Sequence, residues 1–344
     1  MSTSNRFHFL DSLRGFAVAG ILLVNAADLM CLGYDTPVQP FQAIPLAENI
    51  LNFLVATRFV PIFSFMFGMS MGFVIDSAIR RGAPAWKILL RRLAALLVIG
   101  LLHSILYPGE ILRDYAVAGA ILLPFILKVP RSVRLVLGLL ATIGAYAFTG
   151  GGALSLPGLF LLGSAAQAYD LPARLEHADR RIGAATLVFA AASAAAIPWQ
   201  AAEGGDPRFF TAGGVAGGLM ACLYVCLLAL LWRTPARRAL SAVFEPLGRM
   251  ALTCYVTASV VMVPAGLLLD SRSTQDVIPG LIVAAAVLPI QWVFCRLWLS
   301  RFAYGPLEWA WRCVTWWRWV PLQRRQSKQL DPVSYVPGTT AGIA

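Results

Sequence analysis

Ten apolar runs recur along the 344-residue sequence, and they leave few folds open. They are Leu10–Cys31, Phe59–Ile75, Leu93–Tyr107, Tyr115–Leu127, Leu135–Phe148, Leu154–Tyr169, Ile182–Trp199, Thr211–Trp232, Met250–Leu269 and Val277–Leu299. A bilayer core contains no water to satisfy backbone polar groups, so a run that crosses it must bond internally as a helix. The fold class expected is therefore all-α, a polytopic integral membrane bundle of about ten transmembrane helices. Hydrophobic residues make up 58% of the chain and charged residues 13%, too apolar a balance for a soluble domain of this length.

Lysine and arginine set the expected orientation. With the N-terminus placed inside and the runs alternating, all but four of the 28 basic residues fall on the inner side. The exceptions are Arg58, Arg113, Arg208 and Arg272. Basic residues accumulate on the cytoplasmic face of membrane proteins, so both termini are expected in the cytoplasm, in a multi-pass protein of the bacterial cytoplasmic (inner) membrane. A net charge of +11 would suggest nucleic acid in a soluble chain. Here it is loop charge, and membrane lipid is the expected partner, with no nucleic acid. Trp298, Trp309, Trp311, Trp316, Trp317 and Trp319 crowd the inner end of the last run among arginines, a belt that anchors at headgroup level.

No polar linker divides residues 1–322, which are expected to form one integral domain. Residues 323–344 are rich in Pro, Gly, Ser and Thr and are expected to be a flexible cytoplasmic tail. MSTSNRFHF is too short and polar to serve as a cleavable signal, so the first run is expected to stay as a span. The longest outer loop, Leu32 to Thr57, carries Pro37, Pro40 and Pro45 before the amphipathic stretch PLAENILNFL, which fits either an interfacial lid or a plain connector.

The first run, LDSLRGFAVAGILLVN, holds Asp11, Arg14 and Asn25. Ionisable groups are costly in hydrocarbon, so they face a protein interior or a wet cavity and mark functional sites. Arg14 and Asn25 are eleven positions and about 1100° apart at 3.6 residues per turn, only about 20° off one face and about 16 Å apart along the axis. Asp28 falls near the same stripe. A polar track is thus expected to run from the inner surface toward the bilayer middle.

Elsewhere, GEILRDYA places Glu110, Arg113 and Asp114 just after His103, and a histidine beside carboxylates suits a general base. A hydrogen bond between helices would explain His103 equally. Arg58 and Arg113 could receive an anion or neutralise Glu110, Asp114 and Asp35. In EPLGRMALTCY, Arg249 could join Arg14 as a phosphate clamp, since guanidinium forks fit phosphate bidentately; pairing with Glu245 or Glu308 is the structural alternative. Glu308 and Arg312 stand four apart, in the order that favours a helical ion pair. Cys31, Cys222, Cys226, Cys254, Cys295 and Cys313 lack metal-ligand spacing, read as packing residues, and no metal is expected. Gly15, Ala19 and the GGVAGG run from Gly213 to Gly218 read as small faces for close helix packing. Nucleotide-loop, zinc-protease and hydrolase signatures do not occur.

LDSLRGFAVAGILLVN, FVPIFSFMFG, RRLAALLVIGLLH with GEILRDYA, GRMALTCY and YGPLEWAWR resemble successive blocks of the YeiB-like bacterial membrane proteins, a family built on domain of unknown function 418. The resemblance runs from about Leu10 to Arg312. The first block also resembles membrane acyltransferases that use acyl-CoA, among them the lysosomal heparan glucosaminide acetyltransferase, whose arginine and asparagine match Arg14 and Asn25, and bacterial sugar O-acyltransferases, which carry histidine where Asn25 stands. That resemblance implies acyl-CoA as cosubstrate, bound near Arg14 and Arg249, and a small-molecule acyl acceptor presented from outside. Asn25 would polarise the thioester carbonyl, and His103, or Asp28 or Asp35, would act as base, because Leu32 to Thr57 contains no histidine. A small-molecule or ion-coupled transporter and a non-catalytic sensor or assembly partner are the competing classes. The oligomeric state stays open.

Overall fold

The computed structural model describes residues 6–36, 45–177 and 180–323. Their regular structure is helical, with one isolated antiparallel bridge between Phe302 and Gln323. The helices are α1 (His8–Leu29), α2 (Leu46–Leu54), α3 (Phe59–Ile79), α4 (Ala85–Ser104), α5 (Leu112–Lys128), α6 (Arg131–Thr149), α7 (Leu156–Ala168), α8 (Leu171–His177), α9 (Arg180–Glu203), α10 (Thr211–Leu231), α11 (Ala236–Arg249), α12 (Ala251–Leu268), α13 (Ile278–Arg301) and α14 (Pro306–Trp316). Proline starts several of them, since its missing N–H costs nothing in a first turn: Pro45, Pro84 and Pro130 precede α2, α4 and α6, and Pro306 opens α14. The predicted tail lies outside the described residues beyond Gln323, as do Pro37 and Pro40.

Each of the ten predicted runs falls on a helix. Among the described residues seven helical segments are long and apolar enough to cross a membrane: α1, α2 with α3, α6, α9, α10, α12 and α13. The other three fall short of that measure for visible reasons. Lys87, Arg91 and Arg92 charge the first half of α4, and α5 has 17 residues. With 13 residues, α7 is about 20 Å long against about 30 Å of hydrocarbon. The count of ten is therefore a count of apolar helices rather than of established spans.

The first helix is the hub. Its apolar stretch is 61% buried, against 6% for α6 at the periphery. Phe9, Leu13 and Ala17 join a core with α3, α8, α9 and α10; Leu22, Ala26 and Leu29 join one with α12 and α13; Val18 packs with Leu247, Cys254 and Cys295. Against α11 the approach is backbone to backbone. A Cβ at Gly248 would stand 1.7 Å from the Asp11 carbonyl oxygen, and one at Gly15 would stand 1.9 Å from that of Phe244. The GGVAGG run likewise packs Gly214 onto the Gly150 carbonyl, as small faces in membrane bundles do.

The stretch PLAENILNFL forms α2, and its Leu46, Ile50 and Leu54 face outward, 76%, 49% and 50% exposed. Tyr224 of α10 donates to the Leu54 carbonyl at 2.9 Å and ties the helix down. An exposed apolar stripe on a tethered short helix fits a position in the membrane interface.

Candidate functional site

A cavity of about 120 Å³ opens where α1, α3, α4, α5, α11, α12 and α14 meet. Its apolar wall includes Val18, Ile21, Phe63, Phe67, Leu96 and Trp311, and its polar groups include Arg14, Ser70, Arg92, Arg249, Tyr255 and Glu308. Three guanidiniums therefore face one carboxylate.

Each arginine is held in its own way. Arg14, Val18 and Ile21 follow the i, i+4, i+7 spacing of one helical face, which aims that stripe of α1 into the cavity. Arg14 is held only loosely by Asp11 at 3.7 Å, because Arg6 engages that carboxylate at 2.6 Å. Arg249 ends α11, where Met250 leaves helical geometry before α12 resumes at Ala251; its Nη2 donates to the Ala303 carbonyl at 3.3 Å. Arg92 lies 3.6 Å over the Trp311 ring, and Trp311 Nε1 donates to the Arg92 carbonyl at 2.8 Å. The Nε of Arg92 is buried with no hydrogen-bond partner.

The one carboxylate is already engaged. Glu308 Oε1 accepts the backbone N–H groups of Leu252 and Thr253 at 2.7 and 3.0 Å, and Oε2 accepts the Thr253 hydroxyl at 2.6 Å. It closes the N-terminus of α12, where an acid complements the helix dipole. Burial still pushes its carboxyl above the usual range, against the lowering effect of these Thr253 and Leu252 donors. The expected i,i+4 pair is replaced by two separate contacts: Glu308 turns to α12, and Arg312 lies 4.8 Å over the Tyr304 ring.

Of the residues singled out in the sequence, Arg14 and Arg249 share the cavity, whereas Asn25, Asp28 and His103 are not in its wall. Asn25 continues the stripe of Arg14, Val18 and Ile21 one turn beyond the last of them, about 6 Å along the axis, and is half-buried. Asp28 meets Nη1 of Arg208 at 2.5 Å, and the same guanidinium grips Asp206. His103 is buried, its Nδ1 hydrogen-bonded to Glu110, whose other oxygen accepts the Leu112 N–H. With a carboxylate as acceptor, Nδ1 carries the proton of the neutral ring and Nε2 keeps its lone pair. That Nε2 has no partner. The ring packs edge-on against Tyr255 at 5.2 Å, and Tyr255 in turn lines the cavity.

The other arginines expected on the outer side are also engaged. Arg113 pairs with Asp114 at 3.3 Å and Arg272 with Asp35 at 2.7 Å, and this pairing holds the Asp35 carboxyl below its usual range. Arg58 is fully buried and donates to Gln200 Oε1 at 2.7 Å and to the Ala56 carbonyl. Arg92 was not anticipated as a site residue. The available signal was an arginine directly before an apolar run in a chain whose tryptophans cluster among arginines after the last run. Among the described residues no group of three or more His, Cys, Asp or Glu is placed to hold a metal ion.

Residues 170–318 match the family model described as protein of unknown function (DUF418). An uncharacterized 39.9 kDa protein encoded in the amylase 3' region of Bacillus acidopullulyticus is 30% identical over 341 residues, covering 94% of this chain and 97% of that protein. The uncharacterized protein YxaH of Bacillus subtilis strain 168 is 28% identical, with the same shares covered. No solved structure matches. The relatives span the whole helical bundle, cavity included, and with them this chain belongs to the DUF418 family.

Proposed function

We propose that the protein transfers an acyl group from acyl-CoA on its basic, cytoplasmic side to a hydroxyl or amine of a small-molecule acceptor on the outer side of a bacterial cytoplasmic membrane. The observation that carries this reading is the cavity's charge: Arg14, Arg92 and Arg249 face a single carboxylate that α12 has already claimed. Phosphates suit such a set, because each guanidinium offers a planar fork of donors. The apolar stripe of Val18 and Ile21 then gives the acyl-bearing arm a path toward Asn25.

In this mechanism the acceptor O–H or N–H attacks the thioester carbonyl, and its proton passes to Nε2 of His103. Glu110 holds the His103 ring in the required tautomer and stabilises the cation that forms. The side-chain N–H of Asn25 donates to the tetrahedral oxyanion. Collapse expels the CoA thiolate, which takes the proton back from His103. Asp28, bound by Arg208 and outside the cavity wall, is assigned to the outer mouth. Tyr255 must swing aside for His103 to reach the thioester.

Acetyl-CoA binding and thioester cleavage by the purified full chain test the proposal. Arg14→Ala, Arg92→Ala and Arg249→Ala are expected to weaken binding by about tenfold or more each, the worth of a charge-assisted hydrogen bond. His103→Ala is expected to keep binding and lose turnover. Folded variants that bind and cleave like the parent, or a parent that does neither, would overturn it. Transport of a small anion is the second reading, since the cavity is bounded toward the outer side by Tyr255 and the buried His103–Glu110 pair, a plug that alternating access would open. Uptake into proteoliposomes without thioester cleavage would select it.

A further inference from the structure

A second basic concavity lies beside the first. The cleft between α11 and α13 has a volume of about 690 Å³ and is lined by Arg237, Arg238, Arg249 and Arg296, with Glu245 and Ser241. Four cations meet one acid there, and that acid is occupied, accepting from Ser241 at 2.9 Å and meeting His8 Nδ1 at 3.2 Å. Arg237 is turned partly away, pairing with Glu176 at 3.3 Å and lying over Trp232. The two helices that bound the cleft are tied together: Trp292 Nε1 on α13 donates to the Ala242 carbonyl on α11 at 3.0 Å, and Arg296 lies 5.0 Å over the Trp292 ring.

The α13 flank is apolar. Val293 and Leu297 stand about one helical turn before Arg296 and Ser300 of the cleft wall, and they are 47% and 66% exposed. A soluble anion would leave that surface uncovered, whereas a lipid covers cleft and flank: its phosphate among the arginines and its chains along the aliphatic flank. We infer that the cleft between α11 and α13 is a binding site for an anionic glycerophospholipid, its phosphodiester held by Arg238, Arg249 and Arg296. Arg249 borders this cleft and the inner cavity alike, so a bound lipid stands next to the proposed substrate site. The inference does not depend on acyl transfer.

Native mass spectrometry of the full chain, released from detergent in the presence of equal phosphatidylglycerol and phosphatidylcholine, tests it. A preference for phosphatidylglycerol is expected, falling about thirtyfold in the R238Q/R296Q double variant and about fivefold in each single variant, the share of one basic residue at an anionic lipid surface. The single variants decide the matter if the double variant does not fold. A control pair on the same basic side but outside the cleft, R80Q/R131Q, is expected to keep the preference. Equal binding of the two lipids by the parent, a preference that survives in the folded cleft variants, or an equal loss in the control pair would overturn the site. Displacement of phosphatidylglycerol by millimolar inorganic phosphate would assign the cleft to a soluble anion and overturn the lipid.

Discussion

Glu308 accepts the hydroxyl proton of Thr253 at 2.6 Å across 55 positions of sequence. The two most distinctive blocks of the chain, GRMALTCY and YGPLEWAWR, are therefore halves of one device. The first breaks between α11 and α12 and exposes the N–H groups of Leu252 and Thr253, and the second supplies the carboxylate that receives them. The break is also what aims Arg249 into the cavity. Loss of the cap should therefore disturb ligand binding as well as stability.

The acid's titration gives that device a pH signature. Burial raises the Glu308 carboxyl above its unfolded value of about 4.3, so between the two values the folded protein holds a proton that the unfolded chain has released. Its stability contribution is complete below the unfolded value and declines as pH rises through the folded one. Thermal melting of the detergent-solubilised protein should show this decline in the parent and lose it in Glu308→Gln. Glu308→Ala should cost about 2 kcal/mol, from the vacated cap and its unpaired donors. A Glu308→Gln profile with the parent's slope would refute the assignment.

Helix contact through glycine predicts a contrast between two single-methyl changes. Gly248→Ala places a Cβ 1.7 Å from the Asp11 carbonyl, backbone against backbone, and α1 and α11 must part. A loss of about 3 kcal/mol is expected, with little folded protein recovered from membranes. Gly183, inside α9, has nothing within 4 Å of an added Cβ. Gly183→Ala should be neutral or stabilise by about 0.5–1 kcal/mol through helix propensity. Comparable melting of the two variants would show that the close approach of α1 and α11 is not needed.

The stacked cation at the cavity edge is testable by a double-mutant cycle. Arg92 over Trp311 at 3.6 Å should contribute about 1 kcal/mol of coupling. Melting of Arg92→Gln, Trp311→Leu and the double variant measures it directly, and strictly additive losses would show that the stack contributes nothing.

Local periodicity made the helices and the face of α1 legible, because a 3.6-residue repeat fixes direction without help from the rest of the fold: Arg14, Val18 and Ile21 do point into one cavity, and Asn25 extends their stripe. Long-range contacts were not legible. The four-residue spacing of Glu308 and Arg312 suggested a partner within one helix, yet an exposed helix start elsewhere competes with more donors. Arg92 was hidden for a related reason, since its pairing with Trp311 spans 219 positions and an arginine at a run boundary looks like ordinary loop charge. The separation of His103 from the cavity by Tyr255 likewise depends on how α4 and α12 pack.

Arg58 carries the last prediction. It is fully buried, and its two terminal nitrogens donate to neutral groups, Gln200 Oε1 at 2.7 Å, the Ala56 carbonyl at 2.5 Å and Thr57 Oγ1 at 2.9 Å, while its Nε is buried without a partner. A buried charge with neutral partners depends on each of them, because removing one leaves the desolvation cost uncompensated. Gln200→Leu should therefore cost about 3 kcal/mol, and so should Arg58→Met, which leaves Gln200 Oε1 without its donor. With both changed, the Arg58–Gln200 pair is removed together and the loss that remains is that of the Asn52 carbonyl, which Gln200 Nε2 serves at 2.9 Å, so the double variant should lose less than the sum of the two single losses. Additive losses in that cycle would mean that α3 and α9 are held together by something other than this contact.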